Sequence, residues 1–185
     1  MRRFLDTLYR VTLWLSALCL LTIALLVGAQ LAGRILDGAL ALLHLPRTDF
    51  VILSLDEICG YLLAAASFLA LAGTLKAGAH IRVTMVLASL SEGARRVVEI
   101  FAFAFSAFAS AYMTWHLANF AYVSFRFNEI STGVIKVPLG YPQAFMALGT
   151  LILSVALLDE LFTVIVRGRP SFRAAEDAIT LGKEG

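Results

Sequence analysis

Four apolar stretches without a single Asp, Glu, Lys or Arg recur along this 185-residue chain, and they constrain its fold more than any other feature. They are Val11–Gly33, Ile58–Leu75, Ile100–Phe125 and Val137–Leu158, with 23, 18, 26 and 22 residues. A helix rises about 1.5 Å per residue, so roughly 20 residues cross about 30 Å of hydrocarbon. Hydrocarbon offers no water to satisfy backbone polar groups, and a helix satisfies its own. The chain therefore reads as an all-α integral membrane protein with four transmembrane helices. Hydrophobic residues make up 60% and charged residues 15%, against about 45–50% and about 25% in a soluble domain. That balance excludes an ordinary soluble core.

Met1-Arg2-Arg3 before an apolar run has the look of a secretory signal, and Val27-Gly28-Ala29 has small residues of the cleavage type. The apolar run is longer than the roughly 7–15 residues of a signal h-region, so it is read as the first span. Basic residues set the orientation. With the N-terminus inside, Arg2, Arg3, Arg10, Lys76, Arg82, Arg95, Arg96, Arg167, Arg169, Arg173 and Lys183 lie on the cytoplasmic side. Arg34, Arg47, Arg126 and Lys136 lie outside. Eleven against four predicts both termini in the cytoplasm. The expected divisions are a cytoplasmic N-terminus 1–10, helix 11–33, periplasmic loop 34–57, helix 58–75, cytoplasmic loop 76–96, helix 97–125, periplasmic loop 126–136, helix 137–166 and cytoplasmic tail 167–185. Trp14, Trp115, Tyr122 and Tyr141 fall near span ends, as interfacial anchors do.

Two loops carry further signal. The apolar piece from Ile35 to Leu45 ends at Pro46 and either extends the first helix or lies along the outer surface. In the inner loop, Val83, Val86, Leu87 and Leu90 follow i, i+3, i+4, i+7 spacing. They predict a short amphipathic segment in the cytoplasmic headgroup layer, the alternative being a cytoplasmic extension of the third helix. Ser89-Leu90-Ser91-Glu92 has the spacing of a capping box and is expected to start that helix.

Several function classes fall on chemistry. Pumps and ion-coupled carriers keep ionisable groups inside the membrane, and these four stretches hold no Asp, Glu, Lys or Arg. Small multidrug exporters need an embedded carboxylate; Asp159 and Glu160 follow the fourth stretch, where surface pairing with Arg167 or a neighbour is expected. A haem needs two axial histidines at matching depth on facing helices. His80 lies at the inner side, His44 in the outer loop, and His116 about 24 Å along the third span from Ile100, so no pair matches. Cys19 and Cys59 have no metal-ligand spacing. A net charge of +2 does not call for nucleic acid. No enzyme activity, cofactor or metal is expected.

Helix faces offer the remaining candidates. In the second span, Gly60 with Ala64 and Ala66 with Ala70 are small-x-x-x-small pairs. Such pairs let helices approach closely in lipid, within this bundle or against another subunit. In the third span, Phe101, Phe105, Phe108, Tyr112 and Trp115 form an aromatic ridge beside a strip of Ala104, Ala107, Ala111 and Ala118. The ridge can face lipid, fill a partner's groove or flank a quinone.

The stretch Asp56–Arg82 resembles the small permease subunit of tripartite ATP-independent periplasmic (TRAP) transporters. The shared features are an acidic helix start at Glu57, an apolar span through Leu75, then Lys76, Gly78, His80, Ile81, Arg82 and Val83. Thr84 stands where the family often has Asp. Pro138, Pro142 and Gly149 ahead of an apolar run with a basic exit fit the same family. The resemblance implies a scaffold subunit in the bacterial inner membrane that binds no substrate itself. Its partner is a large TRAP permease subunit carrying Na⁺ and substrate sites, served by a periplasmic substrate-binding protein that delivers an organic acid. Lys76, Gly78, His80, Ile81 and Arg82 are separately the candidate anchors of the cytoplasmic boundary, since Lys and Arg near anionic headgroups contribute about 1 kcal/mol each. They would act through lipid phosphates, nearby carbonyls or the partner, or Lys and Arg would simply snorkel among membrane lipids. Glu57, the small pairs and the aromatic ridge are the candidate packing or partner face. The other reading is a stand-alone four-helix membrane protein, such as a sensor or quinone-linked subunit.

Overall fold

The computed structural model describes residues 2–77 and 91–168. They form four helices: α1 Arg2–Leu42, α2 Leu55–Lys76, α3 Glu92–Arg126 and α4 Gly140–Arg167. All four are long and apolar enough to cross a membrane, so the architecture expected from the apolar stretches is found. The proposed amphipathic segment falls in residues 78–90, outside the described residues.

Each helix end has a local cause. α1 runs past Gly33 through the apolar piece that the sequence left undecided, reaching 41 residues, about 60 Å. It stops at His44, which takes a left-handed φ of 56°, two residues before Pro46. The return is held by the Asp37 carboxylate, which accepts from Thr48 N at 2.7 Å and Thr48 Oγ1 at 2.6 Å. α2 carries Asp56 and Glu57 in its first turn and Lys76 in its last, matching the helix dipole at both ends. α3 begins two residues later than the capping box suggested. Ser91 is its N-cap, with the side-chain oxygen accepting from Ala94 N at 3.5 Å. α4 ends at Gly168, whose φ of 75° allows a left-handed cap donating to Val164 O.

The α3–α4 connection is a compact hairpin. Ile130 and Pro138 form an isolated antiparallel bridge. Ser131 N donates to Val137 O at 2.9 Å, and Leu139 N to Glu129 O at 3.0 Å. It also reaches across to the start of α2, where Ile135 N donates to Ser54 Oγ at 3.1 Å.

The helices pack in the order α1–α2–α4–α3. Close approaches explain the order. A Cβ on Gly73 of α2 would overlap the Leu13 side chain of α1. A Cβ on Gly149 of α4 would stand 2.5 Å from the backbone carbonyl of Phe68 on α2. Polar contacts reinforce both outer pairs. Ser16 Oγ of α1 donates to Ala66 O of α2 at 2.8 Å. Between α3 and α4, Ser110 Oγ and Ser154 Oγ lie 2.8 Å apart, and Ser110 Oγ donates to Thr150 O at 3.2 Å. Tyr9, Ala72, Leu75, Phe103, Ala107, Ile152, Ala156, Leu157 and Val164 make one core, with a contribution from every helix.

Candidate functional site

Where α2 ends, four side chains from three helices converge. Lys76 Nζ lies 2.6 Å from Asp159 Oδ2 and 2.6 Å from Glu160 Oε1. The same ammonium stands 5.6 Å from the centroid of the Tyr9 ring on α1, within cation–π range. The Glu160 side chain has no exposure, while Lys76 and Asp159 keep 18% and 22%. α2 and α4 run side by side, which brings residues 83 and 84 positions apart to one level. Desolvating three charges is costly, and two charge-assisted hydrogen bonds on one lysine offset that cost.

This cluster corrects one expectation. Asp159 and Glu160 do not pair with Arg167 at the surface: α4 continues beyond Leu158 to Arg167, and Lys76 of the neighbouring helix holds both carboxylates, with Glu160 fully enclosed. The charge-free stretches are shorter than the helices that contain them. Nearby, the buried Glu99 pairs with Arg95 at 3.3 Å, and Arg96 donates to Ile165 O at 2.6 Å. Together these contacts tie the ends of α2, α3 and α4.

Gly78, His80, Ile81 and Arg82 lie outside the described residues. Glu57 is half-buried at the opposite end of α2, its Oε1 accepting from Tyr61 Oη at 2.9 Å and its other oxygen close against Gly133. The small pairs divide. Ala66 is 2% exposed and accepts the Ser16 bond; Ala64 and Ala70 are half-buried. Gly60 is exposed, and a Cβ there would meet nothing within 4 Å. Of the alanine strip on α3, only Ala107 is buried. The aromatic ridge is open: Phe101, Phe105, Phe108, Tyr112 and Trp115 are between 62% and 73% exposed. Phe101 and Phe105 stack with centroids 6.5 Å apart.

Three features escaped the sequence reading: the pairing of Lys76 with the two carboxylates, Tyr9 beneath it, and the Ser110–Ser154 contact. A matched-depth count of charges at helix ends would have flagged the first. Tyr9 and the serines carry no distinguishing spacing.

A family model described as tripartite ATP-independent periplasmic transporters, DctQ component, matches residues 45–167. The chain belongs to this family. The match spans α2, α3, α4 and both intervening connections, and therefore the whole Lys76–Asp159–Glu160 cluster. The DctQ component is the small membrane component of a TRAP transporter, and four membrane-spanning helices accord with that role. A comparison with curated proteins finds no match.

Proposed function

We propose that this DctQ chain is the non-translocating scaffold subunit of an inner-membrane TRAP transporter, with both termini cytoplasmic. In this reading it enlarges and anchors the fixed part of the complex. The large permease subunit carries Na⁺ and an organic acid, and a periplasmic binding protein delivers the acid. The observation that carries the reading is the packing order α1–α2–α4–α3. A row of helices has two broad faces and two edges and encloses no passage. Its outer helices each keep an uncovered side rich in large apolar residues, among them Trp14, Leu18 and Leu25 on α1 and Phe105 and Trp115 on α3.

The charged cluster supports the same reading. Ionisable groups in membrane proteins mark ion or proton pathways when they face a cavity. Here Lys76 is held by both carboxylates between adjacent helices, a use that stiffens the row. Gly78, His80, Ile81 and Arg82 then mark the cytoplasmic boundary of α2, meeting headgroups or the permease. Glu57, Gly60 and the aromatic ridge remain available to the partner.

Affinity capture of this chain from membranes that also contain the large permease tests the proposal. The large subunit should be retained in constant proportion through size-exclusion chromatography. A chain that migrates alone from such membranes contradicts it.

A further inference from the structure

Between α1 and the start of α2 lies a crevice of about 430 Å³, whose walls include Val27, Gln30, Arg34, Leu53, Asp56 and Cys59. α1 and α2 run antiparallel, with Leu13 against Gly73 and Ser16 bonded to Ala66 O. The crevice therefore sits at the end of the pair where α1 rises past α2. That level is a hydrocarbon boundary: the charge-free stretch of α1 ends at Gly33, and that of α2 begins at Ile58. Val27 and Cys59 make the deeper wall apolar, while Arg34 and Asp56 stand at the rim.

The two rim charges have no use inside the chain. Both residues are exposed. Neither side chain makes a hydrogen bond or ion pair with a described residue, nor do they pair with each other. Asp37, the acid nearest to Arg34 along α1, is already taken by Thr48 N and Thr48 Oγ1. Helical side chains lean toward the N-terminus of their own helix. On antiparallel helices this brings Arg34 and Asp56 toward one depth from opposite sides. Gln30, one turn before Arg34, is half-buried, and its amide oxygen is enclosed without a hydrogen-bond partner.

An apolar slot under a rim of one positive and one negative group matches the order of parts in a phospholipid. We propose that the crevice binds a membrane lipid with a primary-amine headgroup, phosphatidylethanolamine. An acyl chain lies along Val27 and Cys59, the phosphate meets the Arg34 guanidinium, and the ammonium donates to the Asp56 carboxylate. No bond fixes the Gln30 amide, so it is free to turn its N–H groups to an ester carbonyl at the boundary. Charge selects the headgroup. Phosphatidylglycerol gives Arg34 a phosphate but sets a net negative charge beside Asp56. Phosphatidylcholine is zwitterionic, yet its trimethylammonium has no N–H and forgoes the charge-assisted hydrogen bond. The inference needs only the membrane placement of α1 and α2, and stands apart from the scaffold reading.

Native mass spectrometry of the full chain tests it, alone and in complex with the large permease. The protein is re-lipidated with mixtures of phosphatidylethanolamine, phosphatidylcholine and phosphatidylglycerol carrying identical acyl chains. The unaltered chain should retain phosphatidylethanolamine in preference to the other two. Arg34→Gln should weaken retention of all three about fivefold. Asp56→Lys should move the preference to phosphatidylglycerol. That preference is a ratio within one sample, so it does not depend on the folded fraction. Cys59→Phe, which fills the slot, should lower retention of every lipid. Equal retention of the three lipids by the unaltered chain, an unchanged preference in Asp56→Lys, or full retention in Cys59→Phe overturns the inference. Loss of the lipid on assembly with the large subunit also overturns it, and would make the crevice a protein contact.

Discussion

The Lys76 ammonium lies 2.6 Å from the Glu160 carboxylate, and that carboxylate is wholly enclosed. Removing the lysine strands two acidic groups between helices. Breaking a buried pair from one side costs about 3–5 kcal/mol, whereas neutralising all its members can cost little. Lys76→Met should therefore lower thermal stability in detergent far more than the triple variant Lys76→Met, Asp159→Asn, Glu160→Gln. Equal loss in both would show that the charges do not stabilise each other.

Gly149 and Gly60 look alike in sequence and should behave differently. Gly149 faces the backbone of Phe68 at 2.5 Å from a would-be Cβ, whereas Gly60 faces open space. Backbone cannot rotate aside, so Gly149→Ala should cost about 1–3 kcal/mol by overpacking. Gly60→Ala should be neutral or slightly stabilising in the isolated chain, as alanine is the better helix former. Melting curves of the two variants decide the matter. A larger loss at Gly60 would contradict the packing of α2 against α4.

Ser110 and Ser154 should be coupled. Hydrogen bonds between membrane helices average about 0.6 kcal/mol and reach about 1.7 kcal/mol in double-mutant cycles. A cycle with Ser110→Ala and Ser154→Ala, read by unfolding in detergent, should give a coupling in that range. Ser110 also reaches Thr150 O at 3.2 Å, and Ser154 reaches Thr150 O at 2.9 Å and Thr114 Oγ1 at 3.4 Å, so each single variant loses more than the shared contact and only the cycle isolates it. Strict additivity would mean the 2.8 Å contact contributes nothing.

The eleven-to-four basic bias predicts topology. Reporter fusions at Leu87 and Ser171 should signal cytoplasm, and a fusion between Pro46 and Phe50 should signal periplasm. An outside signal from Leu87 would overturn the orientation.

The four helices were legible because length and apolarity alone fix them. Their ends were less so. α1 passes Gly33 and Gly38 without stopping, since helix geometry continues wherever its apolar and short polar residues permit, and Asp37 is used by Thr48 on the return. The α3 start moved from Ser89 to Ser91 because two serines in succession both offer a cap. The Lys76–Asp159–Glu160 contact was not legible locally, as its partners are more than 80 residues apart and each resembles an interfacial charge by itself. Only the packing of α2 on α4 brings them to one depth. The aromatic ridge was readable from its spacing, and its exposure follows from α3 standing at the end of the row.

The central claim is that this chain supports transport without performing it. The direct measurement is Na⁺-gradient-driven organic-acid uptake in liposomes containing this chain alone, the large permease alone, or both, each with the periplasmic binding protein supplied outside. The account predicts background uptake with this chain alone and the highest uptake when both subunits are present. Gradient-dependent uptake by this chain alone, well above empty liposomes, would contradict it.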